Sequence, residues 1–266
     1  MIRTVILDWA GTMVDYGSFA PVEAFRRLFA EHGIAVSSEV IRKPMGRMKI
    51  DHLRDICEDP GVSAAWQERY GRLPNVQDVL TMYEAFEPML FSLLDQFAVP
   101  VPGAVAMADR LHAKGITIGT TTGYTRAMLD VIVPEAAKHG YKPDSVIAPD
   151  ETAAGRPYPW MIFRNAEALG TIQMKDIVKC GDTEADMREG RNAGVWAVGV
   201  VFGGNELGLT EEEVRKLPEG EKQKRFDVIA ERLKKAGAHY IISEIGELDR
   251  IIEDINLRMV KGELPC

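Results

Sequence analysis

Thr4-Val5-Ile6-Leu7-Asp8-Trp9-Ala10-Gly11-Thr12 is the stretch whose reading decides the fold. Residues 3 to 7 form a short continuous run that ends in aliphatic side chains, the pattern of a strand buried on both faces of a parallel sheet. Asp8 follows at the carboxyl end of that strand, the edge at which open α/β sheets bind ligands. Ala10 and Gly11 leave room for a close backbone approach, and Thr12 adds a hydroxyl. An aspartate here also suits a helix N-cap, so this stretch alone does not separate a cap from a catalytic carboxylate.

The rest of the chain narrows the choice. The 266 residues are 46% hydrophobic and 27% charged, the balance of a globular protein. The formal net charge of −8 argues against nucleic acid as partner, because phosphate neutralisation needs a basic surface. Cys57, Cys180 and Cys266 are far apart and form no CxxC pair, which indicates neither a disulfide framework nor a zinc site. The amino-terminal apolar run ends at Asp8 without a signal-peptide pattern, and runs such as 195–202 are too short to span a bilayer. The expectation is a cytoplasmic protein with a small-molecule substrate and no membrane partner.

Working outward from the first strand, Val22, Phe25, Leu28 and Phe29 fall at helical spacing and Gly33 closes the helix. Further helices are expected over 48–57, about 64–70 and 76–97, with no strand pattern between them. Pro100-Val101-Pro102-Gly103 is punctuation. Strands at 116–121, 145–148, 176–180 and 195–201 then alternate with helices at 104–113, 126–139, 159–169 and 184–193. Such alternation specifies a parallel sheet with right-handed crossovers. A charged helical tail over 211–235, a strand at 239–243 and a helix over 244–260 complete the chain. The fold class is therefore α/β, with a Rossmann-like parallel-sheet core over 1–18 and 99–266 and an all-helical insertion over 19–98. A reaction site belongs between the insertion and the sheet edge, where closure excludes water.

Three more strand ends carry chemistry. Gly119-Thr120-Thr121-Thr122-Gly123-Tyr124 offers backbone N–H groups and hydroxyls at a helix start, an anion site. Gly155-Arg156-Pro157-Tyr158-Pro159 places one cation before a proline-started helix, with a guanidinium suited to phosphate. Gly181-Asp182-Thr183-Glu184-Ala185-Asp186 follows an apolar strand and sets Asp182 and Asp186 four residues apart, so both carboxylates share a face. Paired carboxylates suit Mg²⁺, a cation that takes oxygen ligands alongside substrate phosphate. Each stretch also has a plain structural reading: a threonine-rich strand, a surface arginine, an acidic first turn.

Four such stretches in this order resemble the haloacid dehalogenase superfamily. Two departures are informative. Phosphatases of that superfamily carry a second aspartate two residues after the first; here the position is Ala10, so an alkoxide leaving group lacks its usual proton donor. The usual basic residue is lysine; here it is Arg156. In the insertion, Gly46-Arg47-Met48-Lys49-Ile50-Asp51-His52 sets Lys49 and His52 three residues apart on one helix face. Apolar neighbours desolvate a lysine and lower its pKa, which frees the amine to condense with a carbonyl. The DWAGT loop, TTGYT, GRP and the insertion lysine together resemble the phosphonoacetaldehyde hydrolases, as does 204–210.

The resemblance implies a Mg²⁺-dependent hydrolase acting on phosphonoacetaldehyde through a Lys49 Schiff base and an Asp8 aspartyl phosphate, in phosphonate degradation. It implies metal held by the Asp8 carboxylate, the Ala10 carbonyl and Asp182, supported by Asp186. Thr122 or Thr121, with Gly123 and Arg156, would hold the phosphoryl group, while His52 shuttles a proton and Tyr124 lines the pocket. It also implies a homodimer. Another phosphotransferase of the superfamily, or a non-catalytic binding protein on the same fold, are the alternatives.

Overall fold

Val5, Ile6 and Leu7 have no solvent exposure at all, which burial at about 1.5–3 kcal/mol per side chain makes the natural place for them. They belong to strand β1 (Thr4–Leu7), the centre of a six-stranded sheet in a computed structural model that describes residues 1–265. Six helices follow before the next strand, the first five in the insertion: α1 (Phe19–Glu31), α2 (Ser38–Arg42), α3 (Lys49–Glu58), α4 (Pro60–Tyr70) and α5 (Val76–Leu94). Then α6 (Ala104–Ala113), β2 (Thr117–Thr120), α7 (Arg126–Lys138) and β3 (Ser145–Val146) build one side of the sheet. The chain crosses over through α8 (Trp160–Ala168) to β4 (Ile177–Gly181), α9 (Glu184–Ala193) and β5 (Trp196–Val200). It ends with α10 (Glu211–Lys216), α11 (Glu219–Ala236), β6 (Tyr240–Ile242) and α12 (Leu248–Val260).

The strand order is β3-β2-β1-β4-β5-β6, with every described pairing parallel. The order reverses between β1 and β4, so their carboxyl ends flank the crevice in which sheets of this kind bind ligands. Leu7 is in register with Thr120 on one side and Cys180 on the other. Asp8, Thr121 and Gly181 therefore leave the sheet at one level, which brings three of the predicted loops together.

The route from sheet to insertion is tightly held. Asp15 and Ser18 both adopt left-handed backbone, with φ of 54° and 53°, an uncommon conformation for non-glycine residues. The Asp15 carboxylate accepts hydrogen bonds from the Phe19 and Ala20 amides at 2.8 and 3.0 Å. These are free donors at the start of α1, so the carboxylate caps the helix from outside it. Burial raises the Asp15 carboxyl to about 6 despite those bonds.

Several element expectations need correction: the helix expected over about 64–70 begins at Pro60, and the strand expected over 145–148 ends at Val146. Helix α2 carries too few residues for its periodicity to show in the sequence. The helix expected over 76–97 stops at Leu94. The single tail helix is two, because Pro218 forces Leu217 into extended backbone. The last helix begins with a 3-10 turn, Ile245–Glu247. Cys57 and Cys180 are buried free thiols, and Cys266 lies outside the described residues. No helix among the described residues is long and apolar enough to cross a membrane.

Ile6 packs with Ile162, Ile177 and Val195 on one face of the sheet. Ile6→Ala is expected to cost about 2–5 kcal/mol of stability in urea denaturation with an unchanged slope, the usual cost of a buried cavity.

Candidate active site

The carboxyl ends of β1 and β4 and the loops before α7 and α8 meet around one guanidinium. Arg156 is buried, and its Nη2 donates to Asp8 Oδ1 at 2.8 Å, to the Thr121 carbonyl at 2.6 Å and to Thr121 Oγ1 at 2.8 Å. Its Nη1 lies 3.0 Å from Asp186 Oδ1, and its Nε donates to Glu189 Oε2 at 3.1 Å. Lys179, inside β4, sits 2.7 Å from Asp186 Oδ1 and 3.7 Å from Glu189 Oε2. Burial alone would lower the Arg156 pKa, but Asp186, Asp8 and Glu189 more than reverse that, and the guanidinium stays charged.

Asp182 completes the group. Its Oδ1 accepts from Thr12 Oγ1 at 3.0 Å and its Oδ2 from the Asn205 amide at 2.6 Å. Gly11, at φ +82°, lies so close that a Cβ there would overlap Asp182 Oδ2. Thr183 and Asp186 form a capping box that starts α9 and fixes the Asp186 side chain. Burial raises the Asp182 carboxyl well above the ordinary carboxylate range, and Asp8 and Asp186 push it in the same direction. Asp186 moves the opposite way: burial raises it, but Arg156 and Lys179 beside it bring it below the usual value.

Oxygens of Asp8, Asp182 and Asp186 all lie within 4.8 Å of one another. The buried group contains two cations, Arg156 and Lys179, against four carboxylates, Asp8, Asp182, Asp186 and Glu189. Fully ionised, the four would leave two negative charges over in a low-dielectric interior, which is why the Asp182 carboxyl moves toward its protonated form. The donors are all oxygens, and the deficit equals the charge of one hard divalent cation, so the residues present fit such an ion.

The insertion contributes Lys49, the first residue of α3, buried with its Nζ 4.8 Å above the Tyr124 ring centre. Burial lowers its pKa from 10.5 to about 8, with Asp8 opposing and Arg156 reinforcing the shift. Its position at a helix N-terminus, the positive end of the helix dipole, disfavours the ammonium further. Lys49, Asp8, Ala10, Ser18, Thr122, Gly123, Tyr124 and Arg156 line one narrow pocket. Larger clefts, such as one of about 530 Å³ beside Arg42 and Asn205, carry no comparable chemistry.

The other predicted residues divide by geometry. The Thr121 hydroxyl is used within the charge cluster, because it donates to Glu189 Oε2 at 2.9 Å. The Thr122 hydroxyl only accepts, from the Tyr124 amide at 3.1 Å, which leaves its proton free in the pocket. His52 does not line the pocket. Its Nε2 donates to the Ile41 carbonyl at 2.6 Å, its ring packs on Phe25, and its Nδ1 has no hydrogen-bond partner. Burial and the Lys49 charge hold its pKa well below the normal histidine value.

Sequence reading missed Glu189, Lys179 and Ser18, and named Thr12 and Asn205 without their partner. Glu189 had a usable signal, since it falls three residues after Asp186 on the same face of α9. Lys179 had one too, as the lone charge in an apolar strand. Thr12 and Asn205 stood in stretches the sequence marked, but their shared partner Asp182 is set by contacts between distant segments.

The chain matches the family model of haloacid dehalogenase-like hydrolases over residues 2–194. It is 48% identical over 254 residues to the phosphonoacetaldehyde hydrolase of Bacillus cytotoxicus, covering 96% of each chain. It is 45% identical over 262 residues to the bifunctional phosphonoacetaldehyde hydrolase/aminoethylphosphonate transaminase of Clostridioides difficile, spanning 98% of this chain and 41% of that relative. Among solved structures, the phosphonoacetaldehyde hydrolase-like protein of Oleispira antarctica superposes with a TM-score of 0.97 at 36% identity, covering 99% of this chain and 96% of that one.

Removing one cation from the buried cluster leaves carboxylates uncompensated. Lys179→Met is expected to destabilise the protein by about 3–5 kcal/mol, read from the midpoint of chemical denaturation.

Proposed function

We propose that this chain, which belongs to the haloacid dehalogenase-like hydrolase family, hydrolyses the carbon–phosphorus bond of phosphonoacetaldehyde to acetaldehyde and phosphate. The observation that carries the reading is the pairing, in one narrow pocket, of the Asp8 carboxylate with the desolvated Lys49 amine, at a site where Ala10 supplies no acid. A carbon leaving group cannot be rescued by protonation on oxygen, so it needs an electron sink, and an amine that condenses with an aldehyde provides one. The names of the relatives point to the same substrate.

In this reading the neutral Lys49 Nζ adds to the aldehyde carbon, and loss of water gives an iminium. Asp8 attacks phosphorus; the carbon–phosphorus bond breaks as its electron pair moves into the iminium to form an enamine, and an aspartyl phosphate forms. Water cleaves the aspartyl phosphate to release phosphate and the free carboxylate. The enamine takes a proton on carbon, and hydrolysis of the resulting imine releases acetaldehyde and the amine. Thr122 donates its free hydroxyl proton to a phosphoryl oxygen, with Gly123 beside it. Arg156 holds the Asp8 carboxylate and presents positive charge to the phosphoryl group. Tyr124 forms the face under the Lys49 amine. For His52 the support is narrower: its Nδ1 is bare and it lies one helical turn from Lys49, but burial and the Lys49 charge oppose its protonation.

Mg²⁺ is the proposed ion, held by Asp8 and Asp182 with the Ala10 carbonyl and supported by Asp186; it would offset charge developing on the phosphoryl oxygens. The helical insertion serves as the cap that carries Lys49 to the sheet edge and excludes water from the pocket.

Borohydride added to protein, Mg²⁺ and phosphonoacetaldehyde is expected to label Lys49, found by peptide mass spectrometry, and to leave Lys49→Arg unlabelled and inactive. Phosphate-ester turnover without labelling would overturn the reading. Because the neutral amine reacts, labelling should rise as pH passes through about 8 and level off above it. Asp8→Asn should keep the label while phosphate release falls by about 10⁴-fold or more.

A further inference from the structure

Arg42 ends α2 on the insertion, away from the reactive pocket, yet it is the residue that ties the insertion to the metal-binding side of the sheet. Its Nη1 donates to the Gly17 carbonyl at 2.7 Å, in the segment between β1 and α1, and to Asn205 Oδ1 at 3.1 Å, in the loop after β5. Its guanidinium lies 5.0 Å from the centre of the Phe19 ring. The pairing runs both ways, because Asn205 Nδ2 donates to the Arg42 carbonyl at 3.1 Å. Asn205 is itself buried, and its backbone amide makes the 2.6 Å bond to Asp182 Oδ2. Gly208 follows in the same loop at φ +61°, and a Cβ there would press on Arg42 Nε at 2.7 Å.

We propose that Arg42 and Asn205 form a clasp through which seating of the helical insertion orients Asp182 for the cation. Both are positioning residues. The chain of contacts is short: guanidinium to Asn205 side chain, Asn205 amide to Asp182 carboxylate. Hydrogen bonds to a ligating carboxylate fix its direction, and their loss typically weakens metal binding by 10- to 100-fold. Opening of the insertion would withdraw Arg42 and loosen Asn205, leaving the Thr12 hydroxyl on Asp182 Oδ1, so the carboxylate is held on both oxygens when the lysine of the insertion is also in place. Cation binding and closure then favour each other, as linkage requires.

This rests on reading Asp182 as a ligand, so Asp182→Asn is the reference variant. Mg²⁺ alone is titrated calorimetrically into the metal-free wild type, Asp182→Asn, Arg42→Ala, Asn205→Ala and the double variant, with melting temperature recorded for each. The expected result is loss of Mg²⁺ affinity by about tenfold in each clasp single variant, with the double variant no weaker than either single one. Arg42→Lys, which keeps the charge and an N–H donor but loses the planar guanidinium over Phe19, recovers part of the loss. Wild-type affinity in Arg42→Ala and Asn205→Ala, or additive losses in the double variant, overturns the clasp while leaving the metal site standing. Unchanged affinity in Asp182→Asn overturns the metal reading itself. Neither outcome depends on turnover of phosphonoacetaldehyde.

Discussion

Two buried cations facing four buried carboxylates form the constraint on which the rest of this structure depends. Arg156 spans Asp8, Asp186 and Glu189, and Lys179 doubles the contact to the last two from within β4. Desolvating so many charges costs several kcal/mol per ion unless each finds partners. The cluster finds them by drawing together β1, β4, α9 and the loop before α8, so the sheet edge is held by electrostatics as well as by its apolar strands. The surplus of negative charge beside Asp182 suits a divalent cation, and the same field holds the Asp182 carboxyl far above its ordinary range.

The insertion supplies what the sheet edge lacks. The sheet gathers carboxylates, hydroxyls and a guanidinium, none of which condenses with an aldehyde. Lys49 arrives from α3, desolvated and set over the Tyr124 ring, with its pKa brought down toward neutrality. A lysine on an open helix face would stay an ammonium and would not react as a nucleophile. In the proposed reading its reactivity comes from burial in the pocket, and the linker at Asp15–Ser18 and contacts such as that between Arg42 and Asn205 join the insertion to the sheet.

Two carboxylates within one helical turn show how context splits like residues. Asp182 has no cation beside it and takes its bonds from Thr12 and a backbone amide. Asp186 lies against Arg156 and Lys179 and is held ionised. Burial acts on both in the same direction; the neighbours decide the outcome. The threonines of the β2 loop divide in the same way, with the Thr121 hydroxyl spent on Glu189 and the Thr122 proton left for the pocket.

The strand pattern around Val5–Leu7, its repetition at regular intervals and the absence of strands over 19–98 were legible in the sequence, because period and punctuation are local properties. So were the four loops with Asp8, Thr122, Arg156 and Asp182, since each follows a strand, and the lysine of the insertion among apolar neighbours. The short α2 and the break at Pro218 were less legible, where a few residues decide between helix and turn. Only the tertiary structure could decide which charges meet. Lys179 shows along the chain only as a lone charge in an apolar strand and Glu189 only as a face-mate of Asp186, until β4 and α9 turn both into the charge cluster. Thr12, Asn205 and Arg42 matter through contacts across more than 160 residues. Strand and helix signals are written in neighbouring residues, whereas the pairing of buried charges depends on which distant segments the sheet brings side by side.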